Sequence, residues 1–259
     1  MRIKQSICYP LFKSETMSLD TLFKAAAEIG YAAIELWARD DDFEEVIATA
    51  KQHNLAVASM TGHASLPDGL NKRSNHDRTE AELKTSIDLA AKHGIPGLIC
   101  FSGNRQPDQS EAEAIETVAA GFRRVAPYAE EKGVNLNLEL LNSKVTHPGY
   151  QCDHTAWGVA VCEQVNSPRV KLLYDIYHMQ IMEGDVIRTI RANIGWIGHF
   201  HTAGNPDRND LDDTQELNYT GICKAIADTG YDLYVGHEFT PKGDPIEALR
   251  QTFPICDQG

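Results

Sequence analysis

The chain has no apolar run approaching the ~20 residues that a membrane helix needs, so a membrane-spanning protein is not expected. Its N-terminus, Met1-Arg-Ile-Lys-Gln-Ser-Ile-Cys8, lacks the apolar core of a signal peptide and reads as a strand from the third residue. Positive charge is scarce as well. Lys plus Arg is 24 against 37 Asp plus Glu, a net charge of −13 that repels phosphate backbones and anionic membranes and makes nucleic acid a poor partner. None of the six cysteines (Cys8, Cys100, Cys152, Cys162, Cys223, Cys256) has C-x-x-C spacing, and several lie in apolar stretches. Buried thiols of that kind belong in a reducing compartment, so the expected location is the cytoplasm. No Pro/Gly/Ser-rich tract divides the chain, and residues 1–259 read as one domain.

What is present is one recurring unit: a β-branched strand, a polar loop, an amphipathic helix, then Gly or Asn. Ser18 caps the first helix, with Met17 and Leu22 as a hydrophobic staple and Gly30 after its end. Ser110-Glu-Ala-Glu113 is a capping box opening a long helix that runs to Gly133. Asp185 is placed to cap the helix after the sixth strand, and Asp244-Pro245 with Glu247 opens the last. Strands are expected at about 3–8, 31–36, 55–60, 96–101, 134–139, 170–175, 196–201 and 233–238. Eight strands alternating with eight helices predict a parallel sheet covered by helices. At this length, close to the ~250 residues of a (β/α)8 barrel, the α/β class resolves to a TIM barrel. The rival open doubly wound sheet would carry a Gly-rich phosphate loop after its first strand, whereas Tyr9-Pro-Leu-Phe-Lys13 has no glycine.

A barrel builds its active site at the C-terminal ends of the strands. Strand two ends at Glu35 and Trp37, strand three at His63, and strand four at Ser102-Gly-Asn104. Four consecutive strands of the second half then end in Glu139, Asp175, His201 and Glu238. A carboxylate at one strand end is commonly a helix cap or a solvated charge. Three carboxylates and an imidazole at one level, however, repel each other unless a cation lies between them. Oxygen-rich ligation with one nitrogen suits Mn²⁺ or Mg²⁺, with Co²⁺ or Zn²⁺ as alternatives. Alternation supports this, since Asn135, Asn137 and Glu139 share one face of strand five opposite Leu136, Leu138 and Leu140. His178, just past Asp175, and Arg208, in the acidic loop 205–213, are candidates to touch substrate, as is His63. Lys144 and His147 have weaker claims. His199 is open between supporting and core roles, and His237, out of phase with Glu238, is expected to pack. Phe12, Trp37 and Phe101 are candidate pocket walls.

Leu138-Glu-Leu-Leu-Asn142, Pro148-Gly-Tyr150, the run Leu173-Tyr-Asp-Ile-Tyr-His-Met-Gln-Ile-Met-Glu-Gly-Asp185, Gly198-His-Phe-His201 and Gly236-His-Glu-Phe239 resemble the hydroxypyruvate isomerase family of xylose-isomerase-like barrels. Its close relatives are 2-oxo-tetronate isomerases and ketose 3-epimerases. The resemblance implies one divalent metal on Glu139, Asp175, His201 and Glu238, with Glu139 and Glu238 also the acid/base pair and His178 and Arg208 on a small sugar or hydroxy-oxo acid. Proton transfer through a cis-enediolate would give isomerisation or, with return to the same carbon, epimerisation. Two positions depart from the pattern. His201 stands where hydroxypyruvate isomerases commonly have Gln and ketose epimerases have His, and Asp207-Arg-Asn-Asp-Leu211 replaces a loop that usually reads Arg-His-Glu-Pro. Rival readings are a ketose 3-epimerase, a metal-dependent lyase on sugar conjugates, a non-catalytic sugar-binding barrel, and an endonuclease IV-like nuclease, which would need more histidines and a basic face. Barrels of this size often self-associate, and no sequence feature here decides that point.

Overall fold

The computed structural model describes residues 2–14 and 16–259. Eight parallel strands, β1 (Lys4–Cys8), β2 (Ala33–Leu36), β3 (Ala56–Thr61), β4 (Gly97–Cys100), β5 (Asn135–Glu139), β6 (Val170–Asp175), β7 (Ile197–Thr202) and β8 (Tyr234–His237), form a closed barrel in chain order. The predicted TIM barrel is therefore the observed fold, and each predicted strand lies within two residues of its observed ends. By internal contacts the chain divides into two compact units, Met1–Met60 with Val186–Ile194 and Phe200–Gly259, and Thr61–Asp185 with Gly195–His199.

In the first unit, β1 pairs with β2 and β8, which aligns Cys8 with Glu35 and Ser6 with Gly236. The helices α1 (Tyr9–Phe12), α2 (Leu19–Ile29), α3 (Phe43–Gln52), α9 (Val186–Asn193), α10 (Tyr219–Asp228) and α11 (Pro245–Cys256) belong to this unit. The helix ends follow the sequence punctuation. Ser18 Oγ accepts from Thr21 N, and Asp244 accepts from Glu247 N with Pro245 behind it. Asp185 precedes α9 with φ +45°, a left-handed rather than an extended approach to the helix.

In the second unit, β5 pairs with β4 and β6 in a register that sets Glu139 beside Leu173. Its helices are α4 (His76–His93), α5 (Glu111–Arg123), α6 (Ala126–Lys132), α7 (Thr155–Val165) and α8 (Ile176–Met182). Two expectations need correction here. The helix expected over 110–133 is broken into α5 and α6, because Pro127 has no N–H to give and its ring clashes with the carbonyl four residues back. The short helix α8 directly after β6 was not foreseen. It starts where Asp175 Oδ1 accepts from His178 N at 3.0 Å, so the strand-end carboxylate also caps the helix. The predicted capping box at Ser110 and Glu113 is present. No described helix is long and apolar enough to cross a membrane.

Candidate active site

In the second unit the ends of β5 and β6 carry Glu139 and Asp175, both buried. Glu139 is held from behind: its carbonyl accepts from the Tyr150 hydroxyl at 3.1 Å, and that hydroxyl accepts from Ser102 N, also at 3.1 Å. Tyr150, from the Pro148-Gly-Tyr150 motif, thus ties the ends of β4 and β5 together. His178 is fully buried on α8, with Nδ1 2.6 Å from Asn142 Nδ2 and Nε2 3.6 Å from Asp175 Oδ2. The Asn142 amide nitrogen can only donate, so Nδ1 is the acceptor and Nε2 carries the proton, directed toward the Asp175 carboxylate. His147 stacks edge-on against His178, while Lys144 donates to the carbonyls of Ile181 and Met182 and so ties a loop.

The Nε2 of His63 accepts from Phe101 N at 2.9 Å and its Nδ1 lies 3.1 Å from the Ala64 carbonyl, so both ring nitrogens serve backbone groups. Burial holds its pKa down at about 4, and its two nitrogens brace the ends of β3 and β4.

In the first unit His201, at the end of β7, lies between two carboxylates. Its Nε2 is 3.0 Å from Glu35 Oε2 and its Nδ1 is 3.5 Å from Glu238 Oε2. Burial alone would lower its pKa, yet without a cation between them the facing Glu238 and Glu35 carboxylates hold it well above the ordinary imidazole value. Burial pushes the Cys8 thiol up, so Cys8, 3.9 Å from His201 Nε2, stays protonated. Arg208, 30% exposed in the 205–213 loop, hydrogen-bonds Glu238 from the rim. Its backbone is left-handed, with φ +58°, and Asn209 and Thr240 tie the same loop to the segment after β8. His237 packs as alternation predicts, with Nδ1 on Thr202 Oγ1 and Nε2 on Gln5 Oε1. Phe12 is core, edge-on to Phe239, and Trp37 is partly exposed.

Glu35 was missed as a functional candidate. It is completely buried, and its Oε1 accepts from Ser6 Oγ at 2.5 Å. The available signal was a single carboxylate inside the apolar strand Tyr31-Ala-Ala-Ile-Glu-Leu36, since an ionisable group is seldom buried without a partner.

The family described as xylose isomerase-like TIM barrel matches residues 23–254. A putative hydroxypyruvate isomerase of Mus musculus is 36% identical over 247 residues, covering 91% of this chain and 88% of its own. A 2-oxo-tetronate isomerase of Cupriavidus necator is 29% identical, covering 88% and 89%, and a hydroxypyruvate isomerase of Escherichia coli is 28% identical, covering 90% and 92%. Among solved structures, one from Brucella melitensis described as AP endonuclease, family 2, superposes with a TM-score of 0.81 at 26% identity over 98% of this chain and 99% of its own. A D-psicose 3-epimerase from Clostridium cellulolyticum H10 shares the fold, with a TM-score of 0.75 at 20% identity, covering 97% and 90%. The chain belongs to the xylose isomerase-like TIM-barrel family and is an isomerase or epimerase of that family.

Proposed function

We propose that the chain is a divalent-metal-dependent isomerase of a small sugar or hydroxy-oxo acid, of the hydroxypyruvate or 2-oxo-tetronate type. Glu139, Asp175, His201 and Glu238 are its metal ligands. The observations that carry the reading lie within each unit: Glu139 and Asp175 are buried at the ends of the adjacent strands β5 and β6, and His201 Nδ1 lies 3.5 Å from the buried Glu238 Oε2. Carboxylates buried at strand ends are costly in the absence of a cation, so the chemistry of these donors fits a divalent ion. Three oxygen donors and one nitrogen suit Mn²⁺ or Mg²⁺ better than a thiolate-selected metal, with Co²⁺ or Zn²⁺ as alternatives. Such an ion, when bound, polarises a substrate carbonyl and acidifies the neighbouring C–H. The relatives' names and the single family match over 23–254 support this substrate class and one catalytic domain over 1–259.

The protein's own groups supply the proton transfers. Glu139 and Glu238 are the acid/base pair: one removes the proton beside the carbonyl, and the other returns one to the adjacent carbon. Arg208 hydrogen-bonds Glu238 and, from its partly exposed position, presents its guanidinium fork to a substrate carboxylate or hydroxyl. His178 is fixed by Asn142 and contributes a ring N–H beside Asp175. A ketose 3-epimerase is the second reading, favoured by the histidine at position 201 and by the epimerase fold neighbours. The nuclease description of the Brucella structure is opposed here by the net charge of −13.

The test is proton exchange in D2O with Mn²⁺ or Mg²⁺ over hydroxypyruvate, 2-oxo-tetronates and ketoses, read by NMR. Deuterium at one carbon identifies the substrate class and separates isomerisation from epimerisation. Glu139→Gln and Glu238→Gln are each expected to slow turnover about 10²- to 10⁴-fold. Near wild-type rates in either variant, or cleavage of abasic DNA without any sugar exchange, refutes the proposal.

A further inference from the structure

The proposed proton transfers leave the buried carboxylate of Glu35 without a task. Glu35 lies on β2 with no exposed surface, and an ionised group in that position is costly unless its oxygens are engaged. Both of them are. Oε1 takes the Ser6 hydroxyl at 2.5 Å, and Oε2 lies 3.0 Å from His201 Nε2. The other ring nitrogen of His201 points the opposite way, with Nδ1 3.5 Å from Glu238 Oε2. The barrel wall is shaped to admit this arrangement. A Cβ on Gly236, in the neighbouring strand β8, would stand 2.0 Å from Glu35 Oε1 and 3.0 Å from His201 Cδ2.

A carboxylate that accepts from one nitrogen of a ligating histidine fixes the tautomer, aims the ring, and makes the second nitrogen a better donor. We infer that Glu35 is the positioning residue of the metal centre. It accepts the Nε2 proton of His201 and so presents the Nδ1 lone pair to the cation, while Ser6 locks the carboxylate in place. The inference rests on the proposal above that His201 is a metal ligand. Cys8 lies on the Nε2 side of the same ring, 3.9 Å away, and so faces the positioning side rather than the ligating one.

The experiment uses the full-length protein with Zn²⁺ as a diamagnetic probe. Affinity is measured by competition with a fluorescent chelator, and the protonated ring nitrogen of His201 by ¹⁵N NMR. Wild type is expected to bind with Nε2 protonated and Nδ1 on the metal. Glu35→Leu keeps the volume but has no acceptor, and should weaken Zn²⁺ binding about 10- to 100-fold. Glu35→Gln still offers one oxygen to His201 while its amide donates to Ser6, so its affinity should fall between the two with the tautomer kept. Wild type that binds no divalent metal sinks the metal proposal itself. Wild type that binds through Nε2, or a Glu35→Leu variant that binds within threefold of wild type, overturns only the role given to Glu35. If Glu35→Leu does not fold, the ring nitrogen seen in Zn²⁺-loaded wild type and Glu35→Gln decides the matter.

Discussion

Gly236→Ala is the sharpest probe of how the barrel wall supports the site, because a single methyl is set directly against a buried carboxylate. The added Cβ would lie 2.0 Å from Glu35 Oε1, whereas ordinary contact begins at 3.4 Å, so the carboxylate has to retreat by about 1.4 Å. A shift of that size breaks the 2.5 Å bond from Ser6 and the 3.0 Å contact with His201. Hydrogen bonds to a charged group contribute about 1.5–3 kcal/mol each. Overpacking a rigid wall adds about 1–3 kcal/mol of strain. The expected destabilisation is thus at least about 4 kcal/mol, a large share of a domain's total stability. Urea unfolding should show a lower midpoint with an unchanged slope. Gly243→Ala, where a Cβ meets nothing within 4 Å, is the control and should stay within about 0.5 kcal/mol of wild type. A loss below about 1 kcal/mol in Gly236→Ala would mean that the Glu35 pocket is soft, and would refute this account of it.

Further outcomes follow from the same geometry. His63 is neutral in the fold with its pKa at about 4, against 6.5 for a free ring, so its contribution is present above pH 6.5 and is lost as pH falls toward 4. Linkage gives about 2 kcal/mol lost between pH 7 and pH 5, and the stability gap between wild type and His63→Gln should close by that amount over the same interval. Removing divalent metal with a chelator should abolish turnover and lower the melting temperature. Returning metal at about 100 times its Kd should restore activity and add about 2.7 kcal/mol of stability. Arg208→Gln removes a forked, half-exposed donor, and the loss of a charge-assisted hydrogen bond to substrate should raise KM about 10- to 100-fold with little change in urea midpoint. An unchanged KM would remove Arg208 from the substrate site.

Local chemistry made most of the fold legible. Ser18, Ser110 and Asp244 cap the helices whose starts they mark, because an N-cap hydroxyl or carboxylate acts within three residues and needs no tertiary context. The strand-end residues Glu139, Asp175, His201 and Glu238 could be named because a barrel repeats one unit, so position along the chain predicts level in the wall. Contacts between strands were less accessible. Glu35 reads as a single charge in an apolar strand, and only the register of β1, β2 and β8 brings Ser6 and Gly236 against it. The bracing role of His63 is hidden for a related reason: the backbone groups that engage its two nitrogens come from its own loop and from the end of β4. The break at Pro127 was readable, since proline within an otherwise helical pattern ends or kinks it, but the capping box upstream carried more weight.

The glycines of the strands show how polar groups come to fill a barrel wall. Asn137, on the same face of β5 as Glu139, is almost completely buried, and it lies where a Cβ on Gly97 would meet its Nδ2 at 2.5 Å and a Cβ on Gly198 would meet its Oδ1 at 2.2 Å. Gly236 makes the same room for Glu35. In both places a missing side chain on one strand admits a polar side chain from another, so glycine and polar residue form a complementary pair rather than two separate irregularities. The opposite face of β5 is Leu136 and Leu138, fully buried, so the strand cannot rotate without moving those leucines toward the polar interior. Burial energy on the helix side therefore fixes which way Glu139 points, and the glycines leave space for the polar layer beneath it. The proton transfer proposed for Glu139, at one carbon rather than another, calls for that rigidity. The barrel supplies it through the packing of Asn137 against Gly97 and Gly198, one layer below Glu139.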